Sequence, residues 1–103
     1  MNEQLDLGVA TGEQAPFVGV IVQSDRAEEG LRMASALALG DNEVEVIVTG
    51  PSLPDNDEIA LHLDSLELEE IRVMCPFEDP RMETLTWAEL SSRLEEYDHV
   101  LTF

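Results

Sequence analysis

Between Phe17 and Val22 the chain reads Phe-Val-Gly-Val-Ile-Val, apolar with almost no alternation. A strand without a polar face has to be covered on both sides, which is the situation of a parallel strand sandwiched between helical layers. This run, extended to Gln23, is expected to be the first strand, over 17–23, and it narrows the choice of fold more than any other segment.

The residues after Gln23 support a layered α/β arrangement. Ser24-Asp25 opens a helix with Asp25 and Glu28 as an acidic capping pair, an apolar stripe of Ala27, Leu31, Ala34 and Ala38, and Gly40 as its carboxy-terminal cap. A second strand is expected over 43–49. There Val44, Val46 and Val48 alternate with Glu45, Ile47 and Thr49, so this strand reads as less enclosed than the first.

Gly50-Pro51-Ser52-Leu53-Pro54 breaks the chain, and Asp55-x-x-Glu58 starts a helix near 55–65 with Ile59, Leu63 and Leu66 on its apolar side. A third strand runs from Glu69 to Met74 and delivers Cys75 at its carboxyl end, where Pro76 stops the ladder. Residues 76–84, with two prolines, read as a loop.

Thr86-x-x-Glu89 is a capping box, flanked by Leu85 and Leu90 at the spacing of a hydrophobic staple. Trp87, Leu90 and Leu94 share one side of that helix, and Glu89 can pair with Arg93 on another. Asp98-His99-Val100-Leu101-Thr102-Phe103 is expected as a last strand tucked into the sheet, with His99 buried there. The fold class is therefore α/β, a small doubly wound parallel sheet of order β-α-β-α-β-α-β, with right-handed crossovers and helices on both faces. Residues 1–15 have no sustained period and read as a flexible leader before a single domain over 16–103.

Composition excludes several functions. Five arginines, no lysine and 23 acidic residues give a formal charge of −18. Nucleic acids and anionic membrane surfaces would be repelled, whereas a basic protein would be attracted. The same carboxylate-rich surface is what a salt-rich cytoplasm favours, because screening removes most self-repulsion. Both readings are compatible. Residues 1–15 show no signal-peptide pattern and the chain no membrane-spanning run, so a cytoplasmic protein is expected. A lone cysteine, Cys75, agrees with a reducing compartment.

Candidate chemistry is sparse. The turn after the first strand, Gln23-Ser24-Asp25-Arg26, lacks a glycine-rich phosphate loop, and Asp25, Glu28 and Glu29 oppose a phosphate at the helix start. No cofactor is therefore expected. His62, His99 and Cys75 stand on separate elements without metal-site spacing, so no metal is expected either. Asp25 sits where phosphoacceptor domains carry an aspartate, but such domains also need an acidic pair and a lysine, and this chain has no lysine.

Cys75 is the remaining candidate for catalysis. A thiolate at a strand's carboxyl end can act as a nucleophile or hold a persulfide sulfur. Glu78, Asp79 and the Phe77 ring would raise its pKa unless a partner subunit contributes a cation. A small buried hydrophobe is the alternative role for such a residue.

The pattern over about 17–103 resembles the DsrE-like sulfur-relay family, closest to its DsrF/TusC branch. The resemblance rests on the Phe17–Gln23 strand with its small-residue-rich helix ending at Gly40. It rests most on the ending from Trp87 to Phe103, a helix, a Tyr97-Asp98 step and an apolar strand closing in Phe. In the DsrE/TusD branch a cysteine at the position of Cys75 is the sulfur acceptor.

The resemblance thus implies a sulfur-relay protein or subunit, and a homo- or hetero-oligomer, trimeric or hexameric. A basic or sulfur-carrier protein partner is expected from charge and resemblance together. A non-catalytic acidic assembly subunit is the second expectation, and a small-ligand or regulatory α/β domain the third.

Overall fold

Apolar runs that cannot face water on either side assemble into one sheet. The computed structural model describes residues 15–103; the leader expected over 1–15 lies outside them save for Ala15. Strands β1 (Phe17–Gln23), β2 (Glu43–Thr49), β3 (Arg72–Cys75), β4 (Glu83–Thr84) and β5 (His99–Thr102) form a sheet of order β4-β3-β2-β1-β5. All neighbours are parallel. Helices α1 (Ala27–Leu39), α2 (Asp57–Leu68) and α3 (Trp87–Leu94) connect them.

The alternation of side chains along each strand divides the core in two. Val18, Val20 and Val22 of β1 join Val44, Val46 and Val48 of β2 beneath α1 and α2, where Leu31, Ala34, Ile59 and Leu66 cover them. On the opposite face Ile47 and Met74 meet Leu90 of α3 and Tyr97. Helices on both faces of a parallel sheet are consistent with a doubly wound fold. Residues such as Leu31, Leu66, Met74 and Val46 are wholly buried, each adding about 1.5–3 kcal/mol of apolar transfer energy. Gly19 is required on the α3 face, because a side-chain carbon there would overlap the Tyr97 ring.

Several expectations need correction. β2 is the middle strand and its interior positions are all buried, so it is more enclosed than β1, not less. Its alternating Glu45 misled because that carboxylate is buried with its own cations. The loop expected over 76–84 contains β4, a two-residue strand parallel to β3, giving β-α-β-α-β-β-α-β. The Asp25/Glu28 cap is absent: Ser24–Arg26 form a 3-10 turn, and α1 starts without a side-chain cap. Asn56 caps α2 through a 2.9 Å bond from the Ile59 amide, displacing the expected Asp55.

Gly40 ends α1 with φ −90°, and the left-handed residue is Asp41 at φ 68°. Only Leu90 of the α3 stripe is buried; Trp87 and Leu94 are exposed. β5 joins the sheet as expected, paired with β1 alone at its border, but His99 is exposed and not buried. The Thr86–Glu89 capping box is present in both halves, with bonds of 3.1 and 2.8 Å. No helix among the described residues is long and apolar enough to cross a membrane.

Candidate functional site

Cys75 ends β3 on the α1–α2 face, as its register with Val73 requires. The residue is wholly buried, within the cluster formed by Val46, Val48, Leu53 and Ile59. The thiol donates to the Phe77 carbonyl at 3.0 Å, and the Thr84 hydroxyl donates to the same oxygen at 3.1 Å. Burial pushes the thiol pKa up, and the negative charge of Asp79 acts in the same direction. Hydrogen bonding from the Phe77 backbone and Thr84 offsets part of this.

The nearest guanidinium on this loop supplies no compensation. Arg81 grips both oxygens of Asp79 at 2.6 and 2.9 Å and donates to the Leu53 and Pro54 carbonyls. A cleft of about 670 Å³ lies between α2 and the β3–β4 region, lined by Leu63, Ile71, Val73, Arg81 and Met82, but Cys75 is not on its wall. The thiol is thus protonated and shielded from an incoming sulfur donor.

In an open α/β sheet the crevice where strand order reverses is the usual ligand site. Here β1 leads to β2 on one side and meets β5 on the other, so the reversal lies between β1 and β5, two strands from Cys75. The main-chain groups around the carboxyl end of β1 are paired within the chain. The Gln23 amide donates to the Phe103 carbonyl at 2.9 Å, and the Phe103 amide to Ile21 at 2.9 Å. Ser24 bonds the Thr49 carbonyl at 3.1 Å and also that of Ser52. Arg26, the cation of this turn, pairs with Glu29 at 2.9 Å. The helix start offers a phosphate no free positive side chain.

His62 on α2 is half-buried, His99 on β5 exposed and Cys75 buried, and the three belong to different elements. Among the described residues no group of three metal-ligating side chains gathers.

The structure brings together one polar cluster that sequence reasoning missed. Glu45 of β2 accepts two bonds from Arg93, at 3.1 and 2.6 Å, and one from the Tyr97 hydroxyl at 2.9 Å. Arg72 stands 3.6 Å away and is held by Glu83 at 2.7 Å. Arg93 therefore reaches across to β2 and does not pair with Glu89. Its guanidinium also lies 5.8 Å from the Phe17 ring, which packs edge-on against Tyr97. Burial and the Glu45 carboxylate push the Tyr97 pKa up to about 12. This cluster sits toward the amino ends of β2 and β3, away from the ligand end of the sheet, and its role is to let a buried carboxylate fasten α3 to the strands. The only sequence signal was an acidic residue inside an otherwise apolar central strand.

Arg26, Arg72, Arg81 and Arg93 are all paired within the chain, so most of the remaining carboxylates have no arginine partner. Large apolar groups are exposed on every helix, among them Leu39, Leu61 and Leu68. Trp87 is 63% exposed and Leu94 42% on α3, and Val100 is 45% and Leu101 39% exposed on β5. Between α3 and the sheet, Ile21, Ile47, Trp87, Leu90 and Leu94 line an apolar groove of about 180 Å³.

No family model, curated protein or solved structure matches this chain.

Proposed function

We propose that this chain is a non-catalytic acidic interaction domain that docks a basic protein partner in the cytoplasm. The observation that carries the reading is the contrast between its two candidate features. The thiol is buried, with no cation beside it among the described residues, whereas the surface presents apolar side chains amid carboxylates, with four of the five arginines held in pairs within the chain. The DsrE-like resemblance fits a supporting subunit of a relay assembly, trimeric or hexameric, in which sulfur is carried by a partner.

A sulfur-accepting role for Cys75 would require the core around it to open first. Incubation of the native chain with a persulfide donor, with intact mass as the readout, should show no added sulfur. Addition should appear only when urea is present, and be absent from Cys75→Ser. Stoichiometric addition to the native chain, lost in that variant, would restore Cys75 as the acceptor. For docking, affinity for a basic partner should fall steeply as salt is raised, since the Debye length contracts from about 10 Å at 0.1 M to about 3 Å at 1 M.

A further inference from the structure

The two borders of the sheet are built differently. β4 has two residues, and its Glu83 is clamped by Arg72 at 2.7 and 3.0 Å. A border that is short and charged resists pairing with a foreign strand. β5 has four residues, His99–Thr102, all exposed, and none is a carboxylate or a guanidinium. It pairs with β1 on one side, and among the described residues nothing pairs on the other. Its register sets Val100 and Thr102 on the α3 face beside Gly19 and Ile21, and Leu101 on the α1 face beside Val20.

We infer that the outer side of β5 receives an extended basic segment of a partner protein, added as a sixth strand. This rests on the docking function proposed above and specifies its place and mode.

Strand addition provides affinity through main-chain bonds and specificity through alternate side chains. The occupant is identified by charge. Exposed Glu95 and Glu96, together with Asp98, lead into β5, and the nearby Arg93 is committed to Glu45 at 2.6 Å. Lysine or arginine on the incoming strand would meet those carboxylates. A second copy of this chain would bring the same carboxylates and a charge of −18 against them, which opposes association. A strand also satisfies the outward amides and carbonyls of β5, which a helix laid in the groove would leave unpaired.

The test uses the full chain and a short synthetic peptide alternating lysine and valine. Its control is the same peptide N-methylated at alternate amides, which keeps charge and side chains but blocks one hydrogen-bonding edge. A labelled peptide gives affinities for the wild type and for variants. The unmodified peptide should bind at least about tenfold more tightly than the methylated one, the equivalent of about 1.4 kcal/mol. Val100→Arg and Leu101→Arg, each of which sets a like charge on β5 against the lysines of the peptide, should weaken it about fivefold or more.

Equal binding of both peptides would overturn strand addition while leaving electrostatic docking in place. No binding of either would overturn both readings. Self-association in sedimentation, abolished by Leu101→Glu, would assign β5 to a second copy and overturn the basic partner. The methylated-peptide arm needs no variant, so it decides the question even if a substitution impairs folding.

Discussion

Glu45 and Tyr97 show how a charged residue can occupy the centre of a sheet. The carboxylate is 7% exposed and accepts from Arg93 and Tyr97; stripped of those partners it would be a buried, uncompensated charge costing several kcal/mol. Tyr97, itself 9% exposed, retains its proton to about pH 12 in the fold, against about 10 in an unfolded chain. Between those values the folded state binds the proton that the unfolded state has released. The stability from this difference is complete below about pH 10 and is lost as pH rises through about 12, amounting to about 2–3 kcal/mol at most. Urea midpoints measured from about pH 9 to 11.5 should fall in the wild type, and fall less in Tyr97→Phe.

Among the elements, α3 is the best defined by its own residues. The Thr86 hydroxyl takes the Glu89 amide and the Glu89 carboxylate takes the Thr86 amide, so Thr86→Ala should cost about 1 kcal/mol in chemical denaturation, with little change in m-value. That box was legible because both partners lie within three residues, and β1 was legible because burial on two faces leaves an unmistakable apolar run. The core stripe of α1, Ala27, Leu31 and Ala34, was legible from helical spacing in the same way.

What could not be read depended on distant residues. Glu45 looked solvent-facing because its partner Arg93 is 48 residues away. Trp87 and Leu94 share the side of Leu90, but the sheet under α3 covers only the middle of the helix. β4 escaped notice because two residues carry no period. For Cys75 the position at a strand end was legible, whereas its depth was not, since the Leu53 and Ile59 side chains that share its core come from the preceding loop and α2.

At the scale of the molecule, a charge of −18 on 103 residues strains the compact state through self-repulsion, which in-chain ion pairs relieve at only four carboxylates among the described residues. Added potassium chloride should therefore stabilise the protein. Screening that recovers on the order of 1 kcal/mol would lift the thermal midpoint by about 4–8 °C for a domain of this size. Calorimetric scans from about 0.05 to 1 M salt measure the effect, and a midpoint that stays level would show that the carboxylates are spaced too widely to repel.

The neighbour of β1 on its second flank is β5, and the Phe17 amide is bonded to Asp98, 81 positions later. During synthesis the most apolar segment of the protein must therefore wait, half-paired, until nearly all the described chain has left the ribosome. Any product cut short before Asp98 would keep that flank of Val-Gly-Val-Ile uncovered. Quality-control machinery would meet it as an adhesive fragment.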